Sequence, residues 1–187
     1  MLFRSRDALV APELQKSRRR RFGAAAVSAF FACGLGVFGA FYHSVGIGWI
    51  IRHNLFRNIV APPGAALAGP AVLMWNHSSG TVTEGNTFIN CARGVSYGLL
   101  SRADGDHVAG VIRNNVIFRA STQSGDVGIH LSSSPGTQVL NNTVVLSGTY
   151  GAAIEYRFAT TTNVVVANNL VDAAIAARDG EIGRAHV

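Results

Sequence analysis

An asparagine recurs along this chain at Asn54, Asn86, Asn115, Asn142 and Asn169, at intervals of 32, 29, 27 and 27 residues. The settings are alike: IIRHNLF, VTEGNTF, VIRNNVI, VLNNTVV and VVANNLV. Three residues before each Asn stands Ile51, Thr83, Ile112, Val139 or Val166, and two residues after it stands Phe56, Phe88, Ile117, Val144 or Val171. Short β-branched runs bounded by turns such as Ser134-Pro135-Gly136-Thr137 predict strands, not helices. A second strand recurs in AVLMW, GVSYG, GIHLS, AIEYR and AIAAR, which makes Val72, Val95, Ile129, Ile154 and Ile175 equivalent. A unit this short cannot bury its own apolar face, so the units must stack and share a core. Stacking pairs each strand with its equivalents in parallel, about 4.8 Å away, and brings successive asparagine amides within hydrogen-bonding reach.

The N-N-x-[IV] signature at Asn114-Asn115, Asn141-Asn142 and Asn168-Asn169, with the G-[IV] pairs that open several second strands, resembles the right-handed parallel β-helix repeat family. That superfamily includes pectate lyases and other polysaccharide-acting enzymes. The resemblance spans about 130 residues and implies an all-β, right-handed parallel β-helix (solenoid) of about five coils of 27–32 residues. It bears on fold more than on activity, because ladder and apolar columns are scaffold. A propeller would need four strands per repeat, and a leucine-rich repeat would need a Leu ladder that is absent; a β-sandwich is the remaining rival.

The domain reading is residues 44–180 as the β-helix, 6–43 as a basic then apolar segment, and 1–5 and 181–187 as foreign ends. The terminal Glu181-Ile182-Gly183-Arg184-Ala185-His186-Val187 and the opening Met1-Leu2-Phe3-Arg4-Ser5 resemble translated sequencing adapters, which implies a fragment of a longer gene. Lys16-Ser17-Arg18-Arg19-Arg20-Arg21 precedes an uncharged stretch over residues 22–42. This reads as an export or anchor signal, with buried core, a partial coil or out-of-frame translation as the other readings. It gives an extracytoplasmic expectation, with the membrane as partner only through this segment.

The formal charge of +6 comes mostly from the N-terminus, since seven of the sixteen Lys and Arg lie in the first 21 residues. From Phe22 onward nine Arg face eight acids, too even a balance for a phosphate-tracking groove, so no nucleic-acid partner is expected. Cys33 and Cys91 show no metal-ligand spacing and read as small apolar side chains.

Function must come from outward side chains aligned across coils. If Ile129 and Ile154 point inward, alternation puts His130 and Glu155 outward on adjacent coils, Arg157 on the same face, and Arg178 beside Arg157 with Asp179 following. His130, Glu155 and Arg157 are the candidate catalytic residues. Arg178, Asp179 and Trp75 are the candidate substrate-binding ones, Trp75 falling in the column of Arg157. Guanidiniums pair with a sugar carboxylate, and His or Glu exchanges protons; the bland alternative is a surface ion-pair network. The expected partner is a polysaccharide or surface glycan, acted on by a lyase or glycoside hydrolase, or bound without turnover by a surface module. A fragment without independent function is a further alternative, since the chain lacks the caps a solenoid needs. A glycosidase needs two facing carboxylates, and Glu155 has no evident partner except Asp179. Asp104-x-Asp106 suggests Ca2+ but falls short of a complete loop, so no metal ligands are assigned and no cofactor is expected.

Overall fold

The computed structural model describes residues 41–61, 69–178 and 185–186. The segments 1–40, 62–68, 179–184 and residue 187 lie outside them, and with them fall most of the basic and apolar N-terminal segment, Cys33 and Asp179.

The described residues are all-β, with parallel strands stacked in three long sheets. The first holds β1 (Phe41–Ser44), β4 (Val72–Trp75), β8 (Val95–Tyr97), β12 (Ile129–Ser132), β15 (Ala152–Arg157) and β18 (Ala174–Ala177), neighbours in that order. The second runs β2 (Ile50–Arg52), β6 (Val82–Glu84), β10 (Val111–Arg113), β13 (Gln138–Leu140), β16 (Val164–Ala167) and β19 (Ala185–His186). The third runs β3 (Leu55–Arg57), β7 (Thr87–Ile89), β11 (Val116–Phe118), β14 (Thr143–Val145) and β17 (Leu170–Val171). A short pair, β5 (Ser78–Ser79) with β9 (His107–Val108), completes the set. The chain visits the long sheets in rotation, which is compatible with a parallel solenoid.

The register is the one the repeat requires. Val72, Val95, Ile129, Ile154 and Ile175 are successive partners, as are Ile51, Thr83, Ile112, Val139 and Val166, and Phe56, Phe88, Ile117, Val144 and Val171. Most of these side chains lie in one buried cluster. The Phe56 and Phe88 rings stack at 4.8 Å between centroids, so the aromatic spacing matches the strand spacing.

Between the second and third sheets the chain turns at the asparagines. The residue before each ladder Asn is His53, Gly85, Asn114, Asn141 or Asn168, and all five have positive φ between 53° and 61°. That left-handed conformation strains a Cβ, which accounts for Gly85 and for the first Asn of each N-N pair. The second Asn supplies the ladder. The backbone N–H of Asn54, Asn86, Asn115 and Asn142 each donates to the Oδ1 of the next Asn at 2.9–3.1 Å. The Nδ2 groups repeat the bond at 2.9–3.0 Å. From Asn86 on, each Nδ2 also donates to a backbone carbonyl: Ile51, Thr83, Ile112 and Val139.

Thr83 is the polar exception in an apolar column, and Tyr97 explains it. The buried Tyr97 hydroxyl lies 2.8 Å from Thr83 Oγ1 and 3.2 Å from the carbonyls of Thr81 and Val111. Tyr97→Phe should therefore cost about 1–2 kcal/mol by stranding Thr83, and Thr83→Val added to it should recover most of the loss. Urea unfolding of the single and double variants checks this; no recovery would mean the hydroxyls do not serve each other.

Candidate functional site

The first sheet brings together most of the residues singled out by alternation. Ile129 pairs with Ile154 in the core, His130 pairs with Glu155, and Ser132 pairs with Arg157. His130 and Glu155 face away from the core side chains yet are only 3% and 6% exposed. Their column continues through Ser96 to Leu73, both buried, so this column is covered, whereas Arg178 and Asp126 beside it keep 24% and 21% of their side chains exposed.

An ionic cluster surrounds the pair. Arg178 Nη1 donates to Glu155 Oε2 at 2.8 Å and to Asp126 Oδ1 and Oδ2 at 3.0 and 3.1 Å. Arg93 clasps Asp126 from the other side, with Nε 3.1 Å from Oδ2 and Nη2 also bonded to that oxygen. The Tyr150 hydroxyl donates to Glu155 Oε1 at 3.0 Å. Two carboxylates thus share one guanidinium nitrogen, which keeps those oxygens within about 6 Å of each other.

The electrostatics follow from that arrangement. Burial works to raise the Asp126 pKa, but the hydrogen bonds and charge of Arg93, with Arg178 and the Val127 amide, hold the carboxyl well below the usual range. Burial, then the positive charge of Arg93 and Arg178, pushes His130 down to about 3. Its imidazole is neutral across the physiological range, with Ser132 Oγ 3.2 Å from Nε2. Burial and the negative charge of Asp126, with the bond to Glu155, push Tyr150 up to about 12. A neutral His130 at pH 7 accepts or donates a hydrogen bond but holds no imidazolium proton to give.

Other expected residues lie elsewhere. Trp75, half-buried on β4, is separated from Arg157 in their shared column by the positions of Gly98 and Ser132, about 14 Å in all. Arg157 also stacks on Phe158, its Cζ 4.6 Å from the ring centroid. Glu84 belongs to the second sheet, where it pairs with Arg113 at 2.7 Å. In the turn that suggested calcium, Asp106 is buried and accepts the backbone N–H groups of Asn76, Leu99 and Leu100 as well as Arg102 Nε. Its oxygens are therefore engaged by the protein, and Asp104 faces His77 instead. Among the described residues no group of three or more His, Cys, Asp or Glu is placed to hold a metal ion, and no helix is long and apolar enough to cross a membrane.

Alternation within strands missed Arg93, Asp126 and Tyr150, because all three precede their strands, where turn lengths differ between repeats. The carboxylate that shares Arg178 with Glu155 is Asp126, while Asp179, the acid expected there, lies outside the described residues. Compared with protein-family models, with curated proteins and with solved structures, the chain has no significant match.

Proposed function

We propose that this chain forms an extracytoplasmic, right-handed parallel β-helix of about five coils of 27–32 residues, related to the pectate-lyase-like superfamily, that binds an acidic glycan on its first sheet. The observation that carries the reading is the meeting of two guanidiniums, Arg93 and Arg178, on Asp126, with Arg178 also bridging to Glu155. A uronate carboxylate pairs with guanidiniums in bidentate fashion, and ring hydroxyls pair with the flanking carboxylates and Tyr150. The N-N-x-[IV] repeat and its ladder support the family, and the basic then apolar segment ahead of the repeats supports export.

Titration calorimetry with oligogalacturonides and with neutral glucan oligomers tests this reading. Binding of the acidic oligomers alone is expected, and Arg178→Ala should weaken it by about tenfold or more. Equal binding of both series would overturn the acidic preference, and binding of neither would overturn the glycan reading.

A second reading, a polysaccharide hydrolase or lyase, is favoured by one observation, the approach of Asp126 and Glu155 to a common nitrogen. Paired carboxylates at about 5–5.5 Å are the arrangement of retaining glycosidases. Glu155→Gln then abolishes product formation while oligomer binding persists. If the unaltered protein releases no reducing ends or unsaturated uronides from a glycan it binds, the binding module stands alone.

A further inference from the structure

Arg119 follows β11 and points inward, 1% exposed, the largest fully buried side chain among the described residues. No carboxylate is among its hydrogen-bond acceptors. Nε donates to the Cys91 carbonyl at 3.2 Å, and Nη2 donates to the Ala92 carbonyl at 2.8 Å and to the Asp126 carbonyl. Nη1 donates to Thr149 Oγ1 at 3.1 Å. The Ala92 carbonyl also accepts the Asp126 N–H at 2.6 Å, so two segments meet on this guanidinium. Gly125 passes so close that a Cβ there would run into the guanidinium, so any other residue at this position would push Arg119 out of its present place.

The three segments held in this way have something in common. Cys91 and Ala92 directly precede Arg93, Asp126 offers its own backbone, and Thr149 directly precedes Tyr150. Arg93, Asp126 and Tyr150 are the residues of the ionic cluster that come from turns, where no sheet register fixes them. A planar fork with five donors suits this task, because it bonds several carbonyls at once in a fixed geometry that an ammonium cannot reproduce.

We propose that Arg119 is a positioning residue for the ionic face, locking the three turns from which Arg93, Asp126 and Tyr150 reach Arg178 and Glu155. Its importance for a ligand rests on the site proposed above, but its effect on geometry does not. In Arg119→Lys one nitrogen replaces three, and the turns lose their common anchor. Carboxyl NMR titration of the folded variant should show Asp126 protonating at a pH higher by about one unit or more, as its contact with Arg93 loosens. Oligogalacturonide affinity should fall by about fivefold or more. Thr149→Val removes the bond from Arg119 and the Thr149 donation to the Leu146 carbonyl, both confined to the turn ahead of Tyr150; it should shift the Tyr150 ring and Glu155 carboxyl resonances and leave Arg93 and Asp126 unmoved.

A lowered melting temperature in Arg119→Lys with an unchanged Asp126 titration would reduce Arg119 to a brace of the corner and overturn the proposal. If Arg119→Lys does not fold, unshifted Tyr150 and Glu155 resonances in Thr149→Val would overturn it instead. Should the unaltered protein bind no oligogalacturonide, the glycan reading fails, while the Asp126 titration still decides the role of Arg119.

Discussion

Acidification from about pH 7 to about pH 4.5 is expected to remove about 5 kcal/mol of folding stability, enough to unfold a domain of ordinary stability. Two buried imidazoles are responsible. Burial pushes His107, whose Nδ1 lies 2.7 Å from Ser78 Oγ, down to about 3, against the opposing charge of Asp106. His130 reaches the same value under burial and the surrounding guanidiniums. In the unfolded chain both rings titrate near 6.5, so below that pH the unfolded state binds protons that the folded state refuses. Their stabilising effect is complete above about pH 6.5 and is lost as pH falls towards 3, at about 1.4 kcal/mol per pH unit for each ring. Asp126 adds to the loss only below about pH 4, because a carboxyl with a depressed pKa stabilises above its unfolded value and ceases to do so as it protonates. Urea midpoints measured across this range give the slope, which His130→Gln and His107→Gln should each cut by about half. A stability that stays flat from pH 7 to 4.5 would show that these rings accept protons without unfolding the protein, contrary to their burial.

Asn115→Ala should be the most damaging substitution in the ladder, at about 3–5 kcal/mol. Its Oδ1 accepts both the N–H and the Nδ2 of Asn86, and its Nδ2 serves the Thr83 carbonyl and Asn142 Oδ1. Alanine leaves the Asn86 N–H and the Thr83 carbonyl without those partners in a site that is buried, and each stranded group costs about 1–3 kcal/mol. Asn54→Ala removes only donations to Asn86 Oδ1 and to the exposed Arg52 carbonyl, and should cost about 1 kcal/mol or less. The contrast between the two positions is the measurement: equal losses in chemical unfolding would mean that the side chains act locally and not as a chain of shared bonds.

The fold was legible because its determinants repeat. A ladder Asn needs a left-handed residue before it and inward side chains three before and two after, and those constraints print the same short pattern at every pass of the chain. The pairing of His130 with Glu155 followed from the same arithmetic. Burial of that pair was not legible, since what covers it comes from turns whose lengths vary between repeats. Asp126 lies three residues ahead of Ile129, in a stretch where period-two counting has not begun. Arg119 gave no signal at all, because an arginine at a strand end reads as a solvent-exposed charge, and its role appears only when three carbonyls and a hydroxyl from distant segments converge on it. Trp75 shows the opposite error: sharing a column with Arg157 says nothing about how many strands lie between them.

The direction of the asparagine ladder has a mechanical consequence. Its bonds, like those between the strands of each long sheet, run from one pass of the chain to the next, so a tension pulling the first strands away from the last loads these layers one after another. Under such a load the protein peels, and the weakest junction sets the force. The register between β15 and β18 slips at Ala152 and Ile154, and in the third sheet the same passes of the chain are joined by only two residues of β17 against β14. A pull directed across the sheets instead shears every rung of the ladder together, and meets far greater resistance.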